Sequence, residues 1–149
     1  MTEELGRILY ENFENELNSK SFCLVQAPSG YGKSVMLKYF ADQAGGYYLG
    51  SKQTLFTGSV IENVALGNDF DRTFSALLSD IKYPLNEKIH NINQVLSRGQ
   101  IQRVSFLRGL YTTSNLVIFD EVLNGVETNL INKLLIAAKV KMKNKRFYM

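Results

Sequence analysis

The sequence contains a single cysteine, Cys23, so no internal disulfide framework is available to it. Long hydrophobic runs are missing as well. The longest, Leu134-Leu135-Ile136-Ala137-Ala138, falls far short of the ~20 residues a membrane-spanning helix needs. The first residues, Met1-Thr2-Glu3-Glu4, carry acid where a secretory signal carries base and then an apolar stretch. Strong charge of either sign is absent too, and the net +3 is too weak to argue for a nucleic-acid partner. These absences point to a cytoplasmic chain. Hydrophobic residues make up 45% and charged residues 21%, which excludes a disordered polymer. The length of 149 residues fits one domain at roughly 100–200 residues per domain.

Strand and helix signals alternate along the chain. Leu5, Ile8, Leu9, Phe13 and Leu17 recur at helical spacing, with strand as the competing reading of the first twenty residues. Phe22 to Gln26 reads as a short buried strand that runs into a glycine-rich loop. Ser34 to Gln43 predicts a helix stopped at Gly45-Gly46. Tyr47-Tyr48-Leu49 is a short strand candidate. Helices are expected over 60–66 and 70–78, the second capped by Asn68 or Asp69. Residues 82–95, with Pro84 and several Asn, read as mostly irregular. Ile101, Val104, Leu107, Leu110 and Tyr111 give an amphipathic helix after Gly99. Leu116 to Phe119 is a buried strand ending in Asp120-Glu121. A helix over about 128–143 follows, then the opening of one more strand at 146–149. This alternation implies an α/β fold with a mostly parallel sheet.

Two motifs carry chemistry. Ala27-Pro28-Ser29-Gly30-Tyr31-Gly32-Lys33-Ser34 fits the phosphate-loop pattern G-x-x-x-x-G-K-[ST], except that Ala27 replaces the first glycine. Such a loop turns successive backbone N–H groups inward, and the following helix N-terminus adds partial positive charge. Ser29, Gly30, Tyr31 and Gly32 would cradle phosphate oxygens, Lys33 would reach the β- and γ-phosphates, and Ser34 would ligate Mg²⁺. The strand ending in Asp120-Glu121 is the second motif. Asp120 would hold Mg²⁺ and Glu121 would polarise an attacking water as general base.

A third motif, Leu96-Ser97-Arg98-Gly99-Gln100, precedes the amphipathic helix and is trailed by Gln102-Arg103. It resembles the L-S-G-G-Q signature of ABC ATPases, with Arg98 in place of the first glycine. The stretch Leu55 to Gly67 is similar to the L-F-s-G-T-I-r-E-N-I-a-l-G segment of exporter-type members. The resemblance spans about Ile8 to Met149 and identifies the chain as similar to the nucleotide-binding domain of ABC transporters. It implies a P-loop NTPase fold, with a RecA-like core and a shortened helical subdomain. The whole chain is then one domain, with the core at about 1–50 and 112–149 and the helical subdomain at about 59–111.

The resemblance further implies ATP and Mg²⁺ as ligands. It implies a head-to-tail homo- or heterodimer with a second nucleotide-binding domain, since one chain cannot close its own site. Ser97, Arg98, Gly99 and Gln100 would contact the nucleotide of the facing chain. Arg98 either strengthens that contact or lies at the surface. Transmembrane domains would be the further partners, with export as the work done and a peripheral position at the inner face of the plasma membrane. Nucleic acid is not expected, because DNA-acting members carry long coiled-coil insertions absent here. The basic run of Lys139, Lys141, Lys143, Lys145 and Arg146 reads as a solvated helix end, with nucleic acid or lipid headgroups as the alternative.

The sequence departs from the family pattern in five places. The stretch between Lys33 and Leu55 is short. Counting places Ser51 at the metal- and water-contacting Gln position, and Gln53 is the expected substitute. The adenine-stacking aromatic would precede Met1, with Tyr10 as a stand-in or an ordinary packed residue. The switch histidine is missing, since His90 lies upstream of the signature and reads as a loop residue. Glu127 replaces the usual Asp in Leu123-Asn124-Gly125-Val126-Glu127. The expectation is an ATPase shortened at both ends, and the alternative is a nucleotide-binding or interaction module without significant turnover.

Overall fold

The computed structural model describes residues 2–19, 22–23, 30–50, 52–143 and 146–148. They divide into two compact units, residues 1–50, 113–121 and 144–149 in the first and residues 51–112 and 122–143 in the second.

The first unit holds helix α1 (Thr2–Ser19), strand β1 (Phe22–Cys23), helix α2 (Lys33–Ala44), strand β2 (Tyr47–Leu49), strand β3 (Leu116–Phe119) and strand β4 (Arg146–Tyr148). Its sheet has the order β1-β4-β3-β2, and each neighbouring pair is parallel. All four residues of β3 are buried, as an interior parallel strand requires. The core joins Met36, Leu37, Phe40 and Ala41 of α2 to Leu116, Ile118 and Tyr148 of the sheet. Phe40 meets Tyr148 edge-on and Tyr10 near-parallel, with ring centroids 5.3 and 5.5 Å apart.

The competition between helix and strand in the first twenty residues is settled as helix. Glu3 and Glu4 lie in the first turn, where the helix dipole favours acid. The buried stripe differs from the one the sequence suggested. Gly6 is buried, and Leu9 and Tyr10 pack on the core, while Leu5, Ile8 and Phe13 remain about half exposed. Gly6 sets this rotation, because a Cβ there would lie 2.8 Å from the Val35 carbonyl oxygen. Only glycine lets α1 lie this close to α2.

The second unit holds helix α3 (Val60–Ala65), a 3-10 helix (Arg72–Leu78), a single turn α4 (Ile92–Val95), helix α5 (Arg98–Gly109) and helix α6 (Thr128–Lys141). A capping box starts α3. Glu62 N–H donates to Ser59 Oγ at 3.0 Å, and Ser59 N–H donates to Glu62 Oε2 at 2.7 Å. The helix expected over 70–78 is a 3-10 helix, and Asp71 caps it rather than Asn68 or Asp69. Asp71 Oδ1 accepts from the Thr73 N–H at 3.0 Å, while Asn68 instead bonds back to the Ala65 carbonyl. Residues 82–95 are irregular apart from α4.

Helix α5 is not amphipathic. Gln102, Arg103 and Ser105 are buried together with Val104, Phe106 and Leu107. Its two arginines are held by specific partners, while the buried Ser105 Oγ and Gln102 Oε1 have no hydrogen-bond partner among the described residues. Arg103 grips both oxygens of Asp80 at 2.5 Å and donates to the Leu77 carbonyl at 2.8 Å. Arg108 donates to the carbonyl of Asn63 at 2.7 Å and to its Oδ1 at 2.8 Å. On α6, the Lys141 ammonium lies 4.5 Å from the Tyr111 ring centroid, so this member of the basic run covers an aromatic face.

Candidate functional site

In the first unit, α2 starts where the glycine-rich segment ends. Gly32, its N-cap, has φ 80°, and Gly30 has φ 86°. Both values lie in the left-handed region that L side chains avoid. A Cβ on Gly32 would also lie 2.8 Å from Leu9 Cδ1. Tyr31, between the two, is 70% exposed and points away from the core. Ser29 lies outside the described residues, as do Ala27 and Pro28.

Lys33 and Ser34 are the first two residues of α2 and are half-buried. The Lys33 ammonium donates to Glu121 Oε1 at 3.3 Å. The Lys33 side chain is 19% exposed and the Glu121 side chain 46%, so the pair sits at the edge of solvent. An ion pair of this exposure contributes little to stability, on the order of 0–1 kcal/mol. Glu121 has φ 57°, and only two non-glycine residues of the described chain have positive φ. The backbone turns sharply directly after Asp120 and sets the two acids in different environments.

Asp120 is 4% exposed. Its N–H donates to the Leu49 carbonyl at 2.8 Å and continues the β2–β3 pairing past the strand end. Tyr48 pairs with Ile118, two residues before Asp120, so the alternation of a strand puts all three on one face. The Tyr48 hydroxyl donates to Asp120 Oδ2 at 2.5 Å. Ser34 lies beside the same phenol and pulls its pKa down, a smaller effect than those that raise it. Burial, then the hydrogen bond and the charge of Asp120, push the Tyr48 phenol well above its ordinary range and keep it a donor at neutral pH. Asp120 Oδ1 is buried and has no hydrogen-bond partner among the described residues.

The first unit thus brings together Lys33, Ser34, Asp120 and Glu121. Their donor set fits Mg²⁺. A buried carboxylate oxygen without a partner stands by a serine hydroxyl, and Mg²⁺ takes few protein ligands and keeps waters and phosphate oxygens for the rest. Among the described residues no group of three His, Cys, Asp or Glu is placed to cage a metal. Tyr48 is the residue sequence reasoning missed at this site. Its signal, a tyrosine two residues before a loop, has meaning only once β2 is known to lie beside β3.

The remaining candidates belong to the second unit. Ser97 caps α5 in a box with Gln100. The Gln100 N–H donates to Ser97 Oγ at 3.2 Å, and the Ser97 N–H donates to Gln100 Oε1 at 2.8 Å. Gln100 Nε2 turns back to Asp80 at 3.3 Å. Arg98 is exposed and Gly99 half-buried. Gln53, also half-buried, lines a cavity of about 470 Å³ with Asn93, Leu96, Arg98 and Gln102. Gln102 Nε2 donates to the Asn124 carbonyl at 2.6 Å and ties α5 to the turn after the acid pair. Gln53 and Ser97 to Gln100 are therefore grouped apart from Lys33, Ser34 and the acids.

No protein-family model matches the chain. An uncharacterised ABC transporter ATP-binding protein of Haemophilus influenzae is 26% identical over 152 residues, spanning 89% of this chain and 26% of that protein. ABC transporter C family member 14 of Dictyostelium discoideum is 34% identical over 90 residues, spanning 54% of this chain and 7% of that protein. The chain thus spans about a quarter or less of the length of these curated relatives. Among solved structures, a bacterial Atm1-family ABC exporter with ATP bound superposes at a TM-score of 0.66 and 16% identity, over 85% of this chain and 29% of that one. A Pyrococcus furiosus protein described as a putative ABC transporter ATP-binding protein superposes at 0.63 and 17% identity, over 86% and 77%. The fold is the α/β P-loop fold of these ATPases. No helix among the described residues is long and apolar enough to cross a membrane.

Proposed function

We propose that this chain, similar in sequence to ABC transporter ATP-binding proteins and sharing their fold, binds Mg²⁺-ATP in its first unit and hydrolyses it in a head-to-tail dimer. The observation that carries the reading is the meeting of Lys33, Ser34, Asp120 and Glu121 at the start of α2.

The chemistry follows from these residues. Gly30 to Gly32 would present backbone N–H groups to the phosphates, with Ser29 the further phosphate contact the sequence proposes. Lys33 gives up Glu121 and takes the β- and γ-phosphate oxygens, a stronger anion than one carboxylate. Ser34 and Asp120 would hold Mg²⁺, which when bound neutralises charge on the phosphates. Glu121, released from Lys33, accepts the proton of the attacking water. Gln53 would help to place that water and the metal. Ser97, Arg98, Gly99 and Gln100 would meet the nucleotide of a second copy, or of a related chain. Membrane-spanning partner domains at the cytoplasmic face would convert closing and opening into export.

A second reading, nucleotide binding without turnover, is favoured by the Lys33–Glu121 pair, in which the phosphate ligand and the general base occupy each other.

Calorimetry with Mg²⁺-ATP tests the binding step. Wild type should bind and Lys33→Ala should not; equal affinity would remove the phosphate-loop assignment. Phosphate release by wild type and Glu121→Gln separates the two readings. A wild-type rate that falls to background in the variant supports hydrolysis. No wild-type release beside normal binding selects the non-hydrolysing reading. Glu121→Gln with ATP should elute as a dimer, and a monomer at every concentration would remove the composite site.

A further inference from the structure

We infer that Tyr48 is a positioning residue of the metal site: its hydroxyl fixes the Asp120 carboxylate by Oδ2, so that Oδ1 is the oxygen offered to Mg²⁺ beside Ser34. The inference rests on the proposed Mg²⁺-ATP reading and adds to it a residue that no motif contains.

Three observations converge. The phenol is the partner of one Asp120 oxygen at 2.5 Å, while the other oxygen is buried without one. A carboxylate that is 4% exposed has no water shell to hold its orientation, so one hydrogen bond decides which oxygen is left without a partner. The phenol is itself held. The Lys38 ammonium of α2 stands 5.5 Å from the Tyr48 ring centroid. Gly50 lies against the ring edge, where a Cβ would come within 3.3 Å of it. Ser34, the other proposed ligand, lies beside the same phenol. One side chain is therefore bonded to one of the groups that would hold the cation and neighbours the other. Partners of this kind, one bond behind the ligands, typically change metal affinity by about 10–100-fold when removed.

Tyr48→Phe keeps the ring and its packing and deletes only the hydroxyl. ATP affinity is measured by calorimetry on the full chain, first in EDTA and then across a Mg²⁺ series. The expected result is an unchanged affinity in EDTA and a Mg²⁺ half-saturation raised about tenfold or more. A merely structural role would weaken both ATP binding in EDTA and the Mg²⁺ response together. An unchanged half-saturation overturns the inference. A lowered one also overturns it, since the phenol would then compete with the metal. Asp120→Asn should raise the half-saturation too, and adding Tyr48→Phe to it should bring no further rise; additive effects would show that Tyr48 acts elsewhere. Lys33→Ala in EDTA keeps the two levels apart. If that variant binds ATP as wild type does, the phosphate site itself fails, whatever Tyr48 does.

Discussion

Asp80→Ala tests how α5 is held. Arg103 is nearly buried, with a side chain 7% exposed, and its guanidinium takes both Asp80 oxygens at 2.5 Å. The substitution removes two charge-assisted hydrogen bonds, which at about 1.5–3 kcal/mol each would sum to about 3–6 kcal/mol in a sealed site. Asp80 is not sealed, since its side chain is 53% exposed. Water replaces part of the loss, and screening reduces the net cost to about 1–2 kcal/mol. For a chain of 149 residues this lowers the melting temperature by about 3–8 °C.

The pH dependence has a definite sign. Arg103 holds the Asp80 carboxyl down at about 2, below its ordinary 3.8. A depressed carboxylate stabilises the fold above its unfolded pKa and loses that contribution as pH falls through the folded one. The gap between wild type and Asp80→Ala should be full at pH 5 and should narrow between about pH 4 and pH 2. Urea unfolding of both proteins at pH 5 and pH 3 reads the gap. An equal gap at the two pH values would refute the ion-pair origin, and a gap below about 0.5 kcal/mol at pH 5 would refute the magnitude.

Asn63→Ala should be more costly, by about 2–4 kcal/mol in urea unfolding at neutral pH. Asn63 is fully buried and bonds the Phe56 N–H and carbonyl, the Ser59 carbonyl and Arg108, all within 3.0 Å; a loss under 1 kcal/mol would mean that water enters freely. Gly32→Ala should destabilise by about 1–2 kcal/mol for its φ of 80° and add an overlap with Leu9. Pairing it with Leu9→Ala should return less stability than Leu9→Ala alone costs, and full recovery of the wild-type value would contradict the backbone argument.

The legible parts of the fold were those set by local pattern. α2 ends at Gly45, β3 is a four-residue apolar run before two acids, and α3 starts at a serine followed three residues later by Glu62. Each is decided within a few residues of chain. Lys33 and Glu121 were expected in one site as phosphate ligand and general base, but their direct ion pair was not legible in the sequence. The rest depends on contacts distant in sequence. Tyr48 has no meaning until β2 lies beside β3. Arg103 and Gln102 looked like the polar face of an amphipathic helix, but Asp80 and Asn124 lie 23 and 22 residues away and draw them inward. The stripe on α1 was misread because the helix turns its glycine, not its larger apolar side chains, toward α2. Asp71 took the cap from Asp69 because Thr73 supplies both an N–H and a hydroxyl to it.

The backbone at Glu121 carries an evolutionary consequence. With φ at 57°, this position penalises most side chains with a Cβ by about 1–2 kcal/mol; glycine removes the penalty and asparagine, which bonds its own backbone locally, lessens it. Selection for thermal endurance alone would therefore drain the carboxylate from the site. A library randomised at 121 and screened only for heat resistance would return glycine and asparagine, and, on the proposed hydrolysis, a screen for turnover would restore glutamate. The acid sits where the fold by itself would not have put it.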